Sequence, residues 1–223
     1  MAIIQYKTSD GLIHDSEAEG RKWQDYLDTG VYTFRGTNST FKGHIVGRQR
    51  HGYGIFTAGN GSSSPGDVYE GEFSYDKMVG KGTYYYNGGD VYKGDWVNDK
   101  KHGKGKYTWA NGNVLEGDFV EGEPSKCKKT WANGNVYEGD FVEWEPNGKG
   151  KMTYANGNVY EGDFVDGNIH GKGKMTLKNG NVYEGDWVYF KDKDTSLPHG
   201  KGKKTMADGT VQEGRFENNK FVG

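Results

Sequence analysis

Four histidines, His51, His102, His170 and His199, and six glutamates, Glu70, Glu116, Glu138, Glu161, Glu184 and Glu213, are the side chains best suited to proton transfer or metal ligation. Gly171-Lys172-Gly173-Lys174 and its relatives offer ammonium groups on flexible backbone, a combination that can cradle phosphate. Cys127 is the one thiol. The spacing argues against a catalytic role for all of them. Each of the four histidines stands immediately before a glycine of the same loop, and the glutamates return at one place in a repeating text. An active site needs unlike groups that converge once; a side chain that comes back copy after copy is a rung of a structure. The Gly-Lys-Gly-Lys segments lie within strand-like stretches and not ahead of a helix, which is the context a phosphate loop needs. No H-E-x-x-H, paired C-x-x-C, G-x-S-x-G or Walker loop occurs. The reading is therefore a chain with no catalytic residue, no metal site and no cofactor.

The repeating text is Tyr160-Glu161-Gly162-Asp163-Phe164-Val165, then Gly171-Lys172-Gly173-Lys174-Met175-Thr176, then the turn Asn179-Gly180-Asn181. Aligning on the glycine after the aromatic-acid pair gives Gly43, Gly71, Gly94, Gly117, Gly139, Gly162, Gly185 and Gly214. The unperturbed period is 23 residues, from Tyr69 to Tyr92, Tyr92 to Leu115, Tyr137 to Tyr160 and Tyr160 to Tyr183. A fixed period of this size marks a quasi-one-dimensional array of supersecondary units.

Tyr92-Lys93-Gly94-Asp95-Trp96 with Gly103-Lys104-Gly105, and Tyr183-Glu184-Gly185-Asp186-Trp187 with Gly200-Lys201-Gly202, resemble the MORN repeat, over roughly residues 41 to 223. The resemblance implies an all-β, elongated single-layer antiparallel meander of β-hairpins. It also implies a scaffold that binds proteins, with an association of the family with anionic phospholipids. Three departures stand out. The fourth copy has Ser125-Lys126-Cys127 where Gly-x-Gly belongs and is one residue short; there Cys127 reads as a tolerated defect with a local bend. The first copy is lengthened by Ser62-Ser63-Ser64-Pro65, and the seventh by Tyr189 to Pro198.

Composition agrees with a thin sheet. Apolar residues are 32% and glycines 38 of 223, too little for a thick two-layer core, yet aromatics reach 14%. Twenty-nine basic residues against 31 acidic leave no field for nucleic acid. A lone cysteine excludes an internal disulfide and fits a reducing compartment. No apolar run approaches the roughly 18 residues that span a bilayer, and no signal-peptide core opens the chain. The expected location is cytoplasmic, with membrane or cytoskeletal association open.

Residues 1–30 read as a separate head and 31–223 as the array: an incomplete leading unit, seven fuller copies and a partial last one. In the head, Ser9-Asp10-Gly11 marks a hairpin turn. Ser16 with Glu19 reads as a capping box that opens a helix ending near Gly30. Trp23, Tyr26 and Leu27 would form its apolar stripe, docked on the first strands of the sheet. In the array, a three-residue turn at Lys178-Asn179-Gly180 sets Met175 opposite Tyr183, Lys174 opposite Glu184, Gly173 opposite Gly185 and Lys172 opposite Asp186. Inside a copy, Tyr160 should oppose Met175, Glu161 Lys174, Asp163 Lys172 and Phe164 Gly171. Alternation then gathers the rings on one face and the Glu, Asp and Lys rows on the other, and paired glycines leave slots where rings lie over backbone.

A single layer buries little on its aromatic side, so that side should be covered by curling, by the head or by a partner. The candidate contact residues are Tyr92, Trp96, Trp109, Trp131, Tyr137, Tyr154 and Tyr160, for a protein partner presented as a helix or an extended peptide. A homodimer is a second candidate, because the last copy reads as ending after one strand with an open edge. A third is an anionic membrane surface met by Lys104, Lys106, Lys149, Lys151, Lys172 and Lys174, unless the acid opposite each lysine neutralises it. The 189–198 insertion is the segment most particular to this chain.

Overall fold

Two kinds of turn, each demanded by its residues, fold the repeat. The corner Lys178-Asn179-Gly180 is a three-residue turn: Gly180 is left-handed (φ 89°), and the Leu177 N–H donates to Asn181 O at 2.8 Å. The tips of most hairpins are two-residue turns with both residues left-handed, as at Asp166 (φ 47°) and Gly167 (φ 78°); the hairpin whose tip spans 191–194 is an exception. That mirror-image turn matches the right-handed twist of the strands it joins. The second residue of a tip also ties one copy to the one before: the Gly167 N–H donates to Pro146 O and the Asn219 N–H to Pro198 O.

In the computed structural model, which describes residues 3–7, 13–17, 31–46 and 48–223, every regular element is a strand. Contacts divide the chain into two compact units, Met1–Asn111 with Val120–Gly122, and Gly112–Phe119 with Glu123–Gly223. In the first, β1 (Ile3–Lys7) pairs with β2 (Ile13–Glu17) as a hairpin apart from the main sheet. The remaining strands are β3 (Val31–Phe34), β4 (Ser39–Val46), β5 (Gln49–Thr57), β6 (Val68–Ser74), β7 (Lys77–Tyr85), β8 (Val91–Val97) and β9 (Lys100–Thr108). They form an antiparallel meander, each paired with the next. The second unit holds β10 (Val114–Val120, all but its last residue), β11 (Glu123–Thr130), β12 (Val136–Val142), β13 (Glu145–Thr153) and β14 (Val159–Val165). It continues with β15 (Asn168–Thr176), β16 (Val182–Phe190), β17 (Thr195–Thr205), β18 (Val211–Glu217) and β19 (Lys220–Phe221). From β11 to β19 neighbours pair antiparallel in sequence order.

The register between copies is the one the turn chemistry dictates: Met175 faces Tyr183, Lys174 Glu184, Gly173 Gly185 and Lys172 Asp186. Inside a copy the expectation holds only as far as Gly162 opposite Gly173. Beyond it the pairing shifts: Phe164 faces Ile169, not Gly171, and Val165 faces Asn168. The cause is Gly171, left-handed at φ 102°, which bulges β15. Asp163, expected opposite Lys172, instead lies over the bulge and accepts the Lys172 N–H at 2.8 Å. The same cap recurs with Asp95 on the Lys104 N–H and Asp186 on the Lys201 N–H.

Two expectations about the ends also change. Ser16 and Glu17 belong to β2, opposite Ile4 and Ile3, so no helix is capped at Ser16; residues 18–30, with Trp23, Tyr26 and Leu27, lie outside the described residues. The last copy does not stop after one strand, since β19 returns along β18 and sets Phe221 5.4 Å from Phe216. At the other end β3 pairs with β4, with Tyr32 opposite Phe41.

Candidate protein-binding site

The aromatic side of the sheet is built on paired glycines. A Cβ on Gly173 would sit 2.2 Å from the Tyr160 hydroxyl, and one on Gly162 2.5 Å from it, so only this pair lets the ring lie on the backbone. The phenol ends its reach by donating to Asp163 O at 3.1 Å. Tyr92, Tyr137 and Tyr183 do the same to Asp95, Asp140 and Asp186. Tyr137, Tyr160 and Tyr183 each meet the ring four residues on and the corresponding ring of the next copy edge to face. In the second unit the chain of contacts runs Phe141, Tyr137, Phe164, Tyr160, Trp187, Tyr183, Phe216 at 4.9–5.5 Å between centroids. In the first it runs Phe41, Phe73, Tyr69, Trp96, Tyr92 at 5.0–5.4 Å. Each such pair is worth about 0.5–1.5 kcal/mol beyond its buried area, and the ladder sums them.

This packing uses up four of the seven rings read as contacts. Tyr92, Tyr137 and Tyr160 are 0% exposed and Trp96 4%; they form the core. Trp109, Trp131 and Tyr154 stand at the corners of the hairpins and are half-buried. The first unit enlarges its corner around Trp109 with three rings outside the candidate contacts, Tyr84, Tyr86 and Tyr107. Tyr84, Tyr86, Tyr107 and Trp109 follow one another at 4.5, 5.8 and 4.7 Å, tilted by 40–51°. Lys101 Nζ lies 5.1 Å from the Tyr107 ring centre. The signal was available: Tyr84 and Tyr107 occupy the place that Met152 and Met175 hold in the second unit.

The corner also shows why its acceptor is aspartate at 67 and 90 and asparagine at 135 and 158. Asp90 accepts the Tyr107 hydroxyl at 2.7 Å on one oxygen and the Ala110 N–H at 2.9 Å on the other; Asp67 does the same for Tyr84 and the Asn87 N–H. Where methionine replaces the tyrosine, an amide suffices: Asn135 accepts the Ala155 N–H and Asn158 the Lys178 N–H. Burial, followed by the Asp67 and Asp90 carboxylates, pushes the Tyr86 phenol up to about 12, so it remains a neutral donor.

The opposite face is salt-laced. Lys149 pairs with Asp163 at 2.5 Å, Lys151 with Glu161 at 2.8 Å, and Lys172 with Asp186. Lys174 lies between Glu161 and Glu184 in register. Lys106 faces Lys93 across the β8–β9 pair, and Lys104 gives its backbone N–H to Asp95. A shallow concavity of about 910 Å³ on β16–β18 is lined by Glu184, Asp186, Lys201, Lys203, Glu213 and Arg215, again both signs together. Partial burial alone would raise the Asp163 carboxyl, but the Lys149 ammonium and the Lys172 N–H outweigh it and hold it below the usual carboxylate range.

The histidines serve the array as well. His170 Nδ1 accepts the Tyr189 N–H and His199 Nδ1 the Asn218 N–H, each reaching the following copy. Among the described residues no three His, Cys, Asp or Glu side chains come together as a metal-ligand group, and no helix is long and apolar enough to cross a membrane. Cys127 is buried opposite Gly139 and donates from Sγ to Asp118 O at 3.3 Å.

A search of curated proteins finds no match. Solved structures similar to this chain include the SAS-4 (dCPAP) TCP domain of Drosophila melanogaster in complex with a proline-rich motif of Ana2 (13% identity, 74% of this chain and 85% of that chain, TM-score 0.43). The TCP10c domain of Drosophila melanogaster Sas-4 is similar at 12% identity (74% and 93%, TM-score 0.39), and the TCP10 domain of Danio rerio CPAP at 13% (86% and 99%, TM-score 0.43). The MORN repeat family matches residues 42–63, 69–91, 92–114, 137–159, 160–182 and 196–211. Between 42 and 211 it passes over 64–68, 115–136 and 183–195, which hold the end of the first copy's 62–65 insertion, the short copy around Cys127 and the first part of the lengthened seventh copy. With more than half of its residues matched, this chain belongs to the MORN repeat family.

Proposed function

We propose that the chain is a non-catalytic scaffold that binds a protein partner, as an extended peptide, at the aromatic corners of its hairpins. The observation that carries this is the shelf of Tyr84, Tyr86, Tyr107 and Trp109 in the first unit. Its Tyr86 and Trp109 rings stay half-open to solvent while the equivalent depth of the sheet is closed. Rigid rings lose little entropy on contact and bury large area, and such residues anchor interfaces. Trp131, with Lys129 Nζ 5.1 Å from its ring, and Tyr154 are corner sites of the same kind in the second unit.

The reading is tested with a displayed library of random 16-residue peptides as the probe. Enrichment by the wild-type chain is expected, with binding lost in Tyr86→Ser/Trp109→Ala and retained in Lys149→Ala/Lys172→Ala. No enrichment, or peptides that survive Tyr86→Ser/Trp109→Ala, would overturn the corner site. Flotation with vesicles containing anionic phospholipid, across a salt series, is the parallel arm: salt-sensitive flotation lost in the lysine variant would transfer the function to the opposite face.

A further inference from the structure

Glu70 differs from every other member of its row. Glu116, Glu138, Glu161, Glu184 and Glu213 are exposed, with the Glu138 and Glu161 side chains each at 56%, whereas Glu70 is 3% exposed. Val68 likewise is 3% exposed, while Val91, Val114, Val136, Val159 and Val182 are half-buried and Val211 is 49% exposed. Both residues lie on the face opposite the aromatic ladder, which in a single layer meets no second sheet. Burial there, at one copy alone, requires something laid over it.

The neighbours are altered to suit. Where Lys151 faces Glu161 and Lys128 faces Glu138, Ile55 faces Glu70. Where Lys149 faces Asp163, Tyr53 faces Glu72, and the Tyr53 hydroxyl donates to Glu70 Oε1 at 2.9 Å. Glu70 Oε2 is buried with no hydrogen-bond partner, an arrangement that costs free energy until a donor is supplied.

We propose that Tyr53, Ile55, Val68 and Glu70 form an intramolecular docking seat whose occupant is residues 18–30 of this chain. That stretch carries an apolar stripe, Trp23, Tyr26 and Leu27, and places Arg21, Lys22 and the Trp23 indole N–H, donors that suit the unpaired carboxylate oxygen, beside it. It runs into β3, which pairs with β4, which pairs with β5. The seat is thus two to three strand spacings away, roughly 10–15 Å, well within reach of thirteen residues even at about 1.5 Å each. The seat lies on the opposite face from the aromatic corners, so the head and a bound peptide do not compete.

Carbodiimide labelling of carboxylates, read by mass spectrometry on the full chain, measures the cover directly. Glu70 should label at least ~10-fold more slowly than Glu161 in the wild type, and Trp23→Ala/Leu27→Ala should bring it within about 2-fold of Glu161. The converse variant is Tyr53→Lys/Ile55→Lys, which restores residues the array accepts at Lys149 and Lys151. It should speed tryptic cleavage after Arg21 and Lys22 by ~10-fold or more while cleavage at Lys193 stays constant. Wild-type Glu70 labelling as fast as Glu161 overturns the seat. Protection that persists in Trp23→Ala/Leu27→Ala, whether or not dilution of the protein removes it, overturns residues 18–30 as occupant, and loss on dilution identifies a second copy instead.

Discussion

Hairpin β14–β15 and hairpin β10–β11 solve one packing problem with different residues. In the first, Tyr160 lies across Gly162 and Gly173 and its hydroxyl donates to Asp163 O. In the second, Leu115 replaces the tyrosine at 1% exposure, Gly117 remains, and Cys127 stands where the second glycine belongs. The thiol fills the space that the missing phenol leaves, and it makes the phenol's bond, Sγ donating to Asp118 O at 3.3 Å. Read singly, Cys127 breaks the repeat and ought to bend it. Taken with Leu115 it is an exchange: the tyrosine's outer half has moved from one strand to its neighbour. Gly117 cannot join the exchange, since a Cβ there would meet Lys126 O at 2.4 Å. The array therefore specifies a volume and a donor at this depth, and leaves open which strand provides them.

The strongest way to break the equivalence is to mix the two solutions. Gly173→Cys alone puts a side chain into the Tyr160 ring, whose Cζ lies 2.4 Å from the new Cβ, and should cost about 3 kcal/mol, the upper part of the range for overpacking. Adding Tyr160→Leu should recover at least half of that in the urea midpoint. Tolerance of Gly173→Cys by itself would mean that the ring does not rest on the glycines. The gentler mixture is Cys127→Gly, which leaves Leu115 over a void and should cost about 1–2 kcal/mol for lost packing and added backbone freedom. Leu115→Tyr in the same chain should restore the midpoint to near wild type. Additive losses in the double variant would separate the two positions.

The same pair of hairpins shows what the sequence could and could not convey. The register between copies follows from the Asn-Gly corner, because its turn type admits one alignment, and in that alignment Lys172 meets Asp186 and Lys174 meets Glu184. The pairing inside a copy departs from expectation at Phe164, because carrying the between-copy correspondence past Gly162 and Gly173 toward the tip assumes an unbroken strand; the left-handed Gly171 inserts a bulge that alternation alone does not announce. Ring placement on one face was legible from the period of two. Accessibility was not: Tyr92, Trp96, Tyr137 and Tyr160 cover one another, and that depends on centroid spacings and on the glycine slot in three dimensions. Corner rings escape because the ladder ends before it reaches them. Tyr84 and Tyr107 escape a reading by period for a related reason: their hydroxyls are fixed by aspartates of the preceding corner, 17 residues earlier in the chain.

The smallest contrast between the hairpins is electrostatic. β15 is bulged at a left-handed glycine that Asp163 caps, while β11, one residue shorter than β15, contains no left-handed residue. The Asp163 carboxyl feels a raising effect from partial burial, but the Lys149 ammonium and the Lys172 N–H hold it below the ordinary 3.8; Asp186 is placed likewise by Lys172 and the Lys201 N–H. A carboxyl depressed in the folded state contributes stability that is complete above its unfolded value and is lost as pH falls through the folded one. Wild type should therefore lose stability below about pH 4, and Asp163→Asn or Asp186→Asn should each flatten that acid limb by about 1 kcal/mol or less, as expected for pairs near the surface. Urea midpoints at about pH 6 and pH 3 measure the difference. If the variant's acid limb runs parallel to the wild type's, the caps hold the bulge by geometry alone, and the exchange at Leu115 and Cys127 is the larger part of what distinguishes the two hairpins.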